Sequence, residues 1–410
     1  MIEIISLESC TSSGESRLSA RIKIDESEYT LWLSVDEKYS EALCTDRADG
    51  FLIALLPLAI RHRHTIISRV PITDVLLDGV RHDFLEVIYQ KEPKIGLISI
   101  HSNTLPPIVH DKTVLATGLS CGADCLYTVR NRMLSKTVEG DRYFFLTNTH
   151  PRSEDQTDEL GKFRFDFLVR NASAVAKKLK IDLIVADTNY ESNEIPGLTV
   201  VNFTTYCNVF CALCLQRLFS IYYIASGGPV ADFGIKYLDK GFFNVDCSNY
   251  DLLCLPAFST SSLKFVVDGL QWRVDKIKEL VDWPIFQHHF DTCVYHNPSK
   301  KANGTNDCEK CMHSVNEILS QVGLEGMANY TDVFDVEYIQ AHMHEYLAYL
   351  IIQRLKRSEV GMDIWRYRSK AGFKWVDYVR APLTIVTKLG NKFLRKTGVV
   401  KRQPTKWVQI

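Results

Sequence analysis

The sequence predicts an α/β protein built on a Rossmann-like parallel sheet, with an additional N-terminal α/β domain and a helical, basic C-terminal extension. Three observations carry that expectation. Between residues 114 and 225, short apolar or β-branched runs alternate with helix-length segments, as in a parallel sheet covered on both faces. Residues 20–24 and 29–35 instead alternate apolar with polar side chains, as half-buried strands do. Beyond Leu355 the chain turns basic, with aromatic residues interleaved among its lysines and arginines.

A chain of 410 residues, 46% of them hydrophobic, can bury a large core, and its length suggests two or three domains. The formal net charge of −1 gives no general case for nucleic-acid binding. Of the 12 cysteines, Cys207, Cys211 and Cys214 lie on one apolar stretch and read as small buried hydrophobes, not as a disulfide framework. The opening MIEIISLESC lacks a basic segment followed by an apolar one, so no signal peptide is expected. Residues 207–225 come nearest to a membrane span, but Asn208, Gln216, Arg217 and Ser220 interrupt them. A cytoplasmic location is expected, peripheral to the inner face of the membrane if the basic tail engages it.

The N-terminal domain is expected to span residues 1–110. After its strands, residues 48–60 read as a buried helix that Pro57 would kink, residues 74–89 have helical spacing, and residues 97–100 read as a strand. The Pro106-Pro107 pair marks the expected boundary. A second domain is expected over residues 111–326 and a helical, basic region over 327–410.

In the second domain, strands are expected at 114–119, 143–147, 181–186, 200–203 and 220–225, and helices at 126–134, 163–179 and 206–218. Ligands of open parallel sheets lie beyond the carboxyl ends of the strands. That rule gathers residues 120–124, Thr147-Asn148-Thr149-His150, Asp187-Thr188-Asn189 and Ser226-Gly227-Gly228 along one edge. In the first group, strand, tight turn and helix put several backbone N–H groups and a positive helix end at one point, where a phosphate could be held. Cys121, Gly122 and Ala123 are small enough for close approach, Gly122 tolerates a positive φ, and Ser120 and Asp124 would face the ligand. Ser226-Gly227-Gly228-Pro229 is the rival turn, ranked lower because Pro229 lacks an N–H and Val230 stands where an acid would be wanted.

Ser120-Cys121-Gly122-Ala123-Asp124-Cys125 resembles the SGGxDS pyrophosphatase loop (PP-loop) of the adenine-nucleotide α-hydrolase-like superfamily, and the likeness is strongest to proteins related to 7-cyano-7-deazaguanine synthase. Ser120, Gly122 and Asp124 match, while Cys121 replaces the second position and Cys125 the last hydroxyl. The resemblance implies ATP with Mg²⁺: phosphates on Ser120, Cys121, Gly122, Ala123, Asp124 and Cys125, adenine near Thr147 and Asn148, and Asp124 holding the metal or orienting the loop. It also implies attack of a substrate oxygen, expected to be a carboxylate, on the α-phosphorus. For a general base, His150 and Asp187 are candidates by position alone.

Further along, Arg273 and Lys276 lie one helical turn apart, and residues 307–313 read Asp-Cys-Glu-Lys-Cys-Met-His. A solvated helix face explains the first pair; the resemblance, whose order here is a Gly, then RxxK, then Cys and CxxC, implies a cationic clamp on departing pyrophosphate. Cys293, Cys308 and Cys311 suggest a structural Zn²⁺ clip, whose fourth ligand could be His288, His289, His296 or His313. The synthases carry a further cysteine where this chain has Thr305.

Residues 327–357 read as strongly helical, with a Met and aromatic stripe of the kind that packs in cores. For the basic region 358–410, an anionic membrane surface, a partner protein and nucleic acid all fit, and its helical spacing favours the membrane over RNA. The functional expectation is an ATP-using enzyme that adenylates an acceptor substrate, with amidation of a surface polysaccharide as the setting. A catalytically degenerate nucleotide-binding or scaffold protein, or a tRNA- or nucleobase-modifying enzyme, is the alternative.

Overall fold

The computed structural model describes residues 1–135, 140–147, 159–190, 194–198, 204–235, 237–238, 242–243, 247–292, 309–356, 364–366 and 368–396. The chain forms two compact units: Met1–Ser120 with Asp124–Gln271, and Cys121–Ala123 with Trp272–Ile410.

The first unit carries strands β1 (Ile2–Ser12), β2 (Glu15–Ile24), β3 (Ser27–Asp36), β4 (Ile66–Thr73), β5 (Ile100–Leu105), β6 (Leu115–Gly118), β7 (Arg142–Thr147), β8 (Asp182–Thr188), β9 (Ile221–Ala225), β10 (Tyr237–Leu238), β11 (Phe242–Phe243) and β12 (Lys264–Asp268). Its helices are α1 (Asp49–His62), α2 (Asp74–Asp78), α3 (Glu86–Lys91), α4 (Ala123–Thr128), α5 (Glu159–Leu179), α6 (Thr204–Cys214) and α7 (Asp251–Ala257). Among the described residues the main sheet has ten strands in the order β12-β9-β6-β7-β8-β3-β2-β1-β4-β5.

Five of these strands, β12-β9-β6-β7-β8, run parallel and are respectively the fifth, fourth, first, second and third of the five in sequence: β6, β7 and β8 step one way, then the chain returns to place β9 and β12 on the other side of β6. The strand order therefore reverses between β6 and β9. Strands buried in such a sheet need apolar side chains on both faces, and Leu115, Ala116, Phe144, Phe145, Tyr222 and Phe265 are all buried. The expected strand at 200–203 falls outside the described residues, and β12, which closes the parallel part, was not expected.

Residues 1–110 do not fold apart from this sheet. β3 pairs antiparallel with β8, Leu33 opposite Thr188 and Val35 opposite Ala186. The Pro106-Pro107 stretch thus separates two parts of one sheet, and the compact units divide the chain elsewhere than the expected 1–110, 111–326 and 327–410. The physical reason is the edge: β8 would otherwise present unpaired backbone groups along its outer side. Helix α1 runs through Pro57 without ending and packs on α6. At Gly50 the two approach so closely that a Cβ would stand 2.6 Å from the carbonyl oxygen of Phe210.

The second unit is helical: α8 (Arg273–Leu280), α9 (Pro284–His289), α10 (Glu309–Gly326), α11 (Val336–Ala341), α12 (Met343–Leu355) and α13 (Trp375–Lys396). The buried stretch of α10 includes Ser314, Asn316, Glu317 and Ser320 as well as Val315, Ile318 and Leu319, so this unit is organised around a partly polar core.

Candidate functional site at the carboxyl edge of the parallel strands

At the strand-order reversal, the carboxyl end of β6 is fixed by two hydrogen bonds. Thr117 Oγ1 donates to the Tyr223 carbonyl at 2.9 Å, and the Leu119 N–H donates to the Phe145 carbonyl at 2.8 Å. The chain then turns through exposed Ser120, buried Cys121 and half-buried Gly122 into Ala123 and Asp124 at the start of α4. The positive φ expected at Gly122 belongs to Cys121, at 59°. That conformation costs a side-chain-bearing residue about 1–2 kcal/mol relative to glycine. The Cys121 carbonyl accepts the Asp291 N–H at 2.8 Å, which holds the residue in place within the second unit.

The helix that α4 begins widens into a π-helical segment, Val129–Leu134. From this segment Arg132 Nε donates to Asp268 Oδ1 at 2.6 Å, and Asn131 Nδ2 donates to both Asp268 oxygens at 3.1 and 3.2 Å. Asp268 is buried at the end of β12, and the Arg132 guanidinium also lies 5.8 Å from the Tyr223 ring centre. This clasp ties the helix carrying Asp124 to a strand two places away in the sheet. The lone Asp268 after an apolar run gave no signal of it, since its partners lie 136 and 137 residues earlier.

The other groups at this edge differ in what they do. Thr147 ends β7 opposite Ala186, and its buried hydroxyl has no hydrogen-bond partner among the described residues. Asn148, Thr149 and His150 lie outside the described residues. Ser226 is closed into its own turn: its hydroxyl donates to the Gly228 carbonyl at 2.7 Å and accepts the Gly228 N–H at 3.3 Å, while its N–H donates to the Asp268 carbonyl at 2.8 Å. Thr188 and Asn189 serve the β3 seam. Asn189 Oδ1 accepts the Trp32 N–H at 2.9 Å and its Nδ2 donates to the Thr30 carbonyl at 2.8 Å, while Thr188 Oγ1 donates to the Trp32 carbonyl at 2.5 Å. Asp187 accepts the Thr188 N–H at 2.9 Å.

In the second unit, Arg273 and Lys276 do not form an exposed face of α8. Arg273 Nε lies 3.1 Å from Glu317 Oε2, an ion pair whose N–H is not aligned on the oxygen, and its Nη2 donates to Ser314 Oγ at 2.9 Å. Ser314 in turn is 2.6 Å from Thr292 Oγ1. Lys276 is fully buried. Glu317, also fully buried, has His313 Nε2 at 3.2 Å, and the other ring nitrogen of His313 is 3.3 Å from the Tyr349 hydroxyl. A buried carboxylate needs a cation such as the Arg273 guanidinium beside it.

Of the expected zinc ligands, Cys293 and Cys308 lie outside the described residues with His296, and Cys311 is buried on α10. His288 is 2.8 Å from Asp332. Among the described residues no three His, Cys, Asp or Glu side chains are grouped to hold a metal ion. Nor is any helix among them long and apolar enough to cross a membrane. Compared with known protein families, curated proteins and solved structures, the chain gives no match.

Proposed function

We propose that this chain is a nucleotide-binding protein of the PP-loop type, gripping the polyphosphate of ATP at the turn Ser120–Asp124 and using it to adenylate a carboxylate. The observation that carries the reading is the conformation of Cys121. The loop that the sequence resembles has a glycine at this position, and here the position takes the left-handed φ of 59° that a glycine would adopt without cost. The substitution changes the side chain while the backbone keeps a glycine's geometry. The turn also follows β6 where the strand order reverses, the place at which open α/β sheets bind ligands. Thr147, whose buried hydroxyl has no partner among the described residues, ends the adjacent strand.

In the reaction, an oxygen of the acceptor carboxylate bonds to the α-phosphorus as the bond to the bridging oxygen of the β-phosphoryl breaks, giving an acyl adenylate and pyrophosphate. An amine or ammonia then adds to the acyl carbon, AMP leaves, and an amide remains. Mg²⁺, where bound, would neutralise polyphosphate charge, and Asp124 is the acid in the turn that could hold it. Zn²⁺ would serve only as a structural clip at Cys293, Cys308 and Cys311.

A second reading, nucleotide binding without turnover, draws on Arg273 and Lys276. The first is paired with Glu317 and Ser314 and the second is fully buried, so neither is held ready for pyrophosphate within its own unit. Incubation with labelled ATP, Mg²⁺ and a panel of carboxylates separates the two. AMP and pyrophosphate lost in Asp124→Ala support the enzyme; saturable ATP binding without cleavage supports the second reading; no ATP binding at all removes both. Cys121→Gly is expected to keep ATP affinity within about twofold, since glycine adopts that φ freely.

A further inference from the structure

Helix α13 buries one side and exposes an apolar other. Ala381, fully buried, and Ile385 pack with Leu347, Ala348 and Ile351 of α12, together with Trp365 and Phe373. On the opposite side Trp375, Val376, Val379, Leu383 and Val386 are exposed, Trp375 at 82%, Leu383 at 67% and Val386 at 69%. Spacings of four, four and three from Trp375 to Val379, Leu383 and Val386 put these on one stripe of the helix, and Phe393 and Leu394 continue the same spacing in the sequence. Such a contiguous apolar stripe differs from the singly scattered apolar residues of an ordinary surface.

The sequence of α13 is strongly basic. Helix α13 has a single acid, Asp377, which is buried and accepts the Lys374 N–H at 2.7 Å, leaving its carboxylate turned into the fold. Arg380 on the helix, and Lys370, Lys374 and Arg366 just before it, are exposed. Four more cations, Lys388, Lys392, Arg395 and Lys396, follow in the helix sequence. We infer that α13 is an interfacial helix that lies on an anionic lipid surface, its stripe of Trp375, Val379, Leu383 and Val386 entering the headgroup boundary while the flanking cations meet lipid phosphates. The pairing of exposed aliphatic residues with the exposed cations Lys374 and Arg380 picks out this occupant. A nucleic acid would reward the cations but gain nothing from Val379, Leu383 and Val386, whereas lipid rewards both. This inference does not rest on the nucleotide reading.

The test is co-sedimentation of the full-length protein with vesicles of phosphatidylcholine, alone or mixed with phosphatidylglycerol. Binding is expected to the mixed vesicles only, to weaken with added salt, and to shift tryptophan emission to the blue in the wild type but not in Trp375→Ser. The double variant Leu383→Glu with Val386→Glu should bind at least about tenfold more weakly, because each residue loses apolar burial. Both side chains are exposed, so its circular dichroism and melting temperature should match the wild type. No binding to the mixed vesicles, or binding equal in the double variant, overturns the inference. So does a lipid-free dimer that the double variant dissociates, because the stripe would then be covered by a second copy.

Discussion

Two threonines end neighbouring parallel strands of the same sheet, and they are used in opposite ways. Thr188, at the end of β8, donates to the Trp32 carbonyl and accepts the Tyr190 N–H at 3.2 Å. Thr147, at the end of β7, is half-buried with a hydroxyl that finds no partner among the described residues. Position on the carboxyl edge is therefore insufficient to mark a ligand group. Where the edge abuts another strand, the polar side chains are consumed as backbone substitutes; toward β6, where the order of strands reverses, a hydroxyl has no partner among the described residues.

Asn189→Ala should give the largest effect. It strips the Trp32 N–H and the Thr30 carbonyl of their partner, and unfolding in urea should show a loss of about 2–3 kcal/mol with ATP affinity unchanged. Thr188→Val should cost less, about 1–2 kcal/mol, through the same seam. Thr147→Val removes a hydroxyl that is bonded to nothing described, so stability should move by less than about 0.5 kcal/mol while binding of labelled ATP weakens. Equal stability losses at Thr147 and Thr188 would erase the contrast.

A smaller and pH-dependent effect should come from Asp49, buried at the start of α1. Its oxygens accept the Thr73 N–H at 2.8 Å, the Thr73 hydroxyl at 2.5 Å and Gln216 Nε2 at 2.7 Å, yet burial raises its pKa above the ordinary carboxylate value against those bonds. The folded pKa thus exceeds the unfolded one, so protonation favours the fold. Its stabilisation is complete below the ordinary aspartate pKa of about 4 and is lost as pH rises through the raised folded value. The melting temperature of the wild type should accordingly fall relative to Asp49→Asn as pH increases from that point. Parallel pH profiles would show that the hydrogen bonds, not burial, govern this carboxyl.

Much of the parallel part was legible because apolar runs and helical spacing are local. β6, β7, β8 and β9, α5 and α6 fall where the pattern put them. What was hidden is non-local. Asn189 and Trp32 are 157 residues apart, so no window of sequence shows that an apparent ligand group is a structural clip. The helix spacing of Arg273 and Lys276 likewise suggested an outward face, whereas the acid that occupies Arg273, Glu317, arises on a helix after the cysteine motif. β12 escaped notice because periodicity alone does not tell a five-residue run in a strand from a piece of buried helix. The left-handed residue was assigned to Gly122 on side-chain size alone, and its neighbour Cys121 takes it instead.

The antiparallel joint between β3 and β8 bears on how this molecule can be cut. A shortened version beginning after the proline pair would lay bare the outer backbone of β8 at Ala186, Asp187 and Thr188, now paired with β3. Naked strand borders of that kind recruit other chains, so such a fragment should precipitate or form ladders of aggregates instead of yielding a free parallel-sheet body. The first hundred residues act as a permanent cover for their neighbour, and any attempt to study the parallel strands in isolation has to keep them.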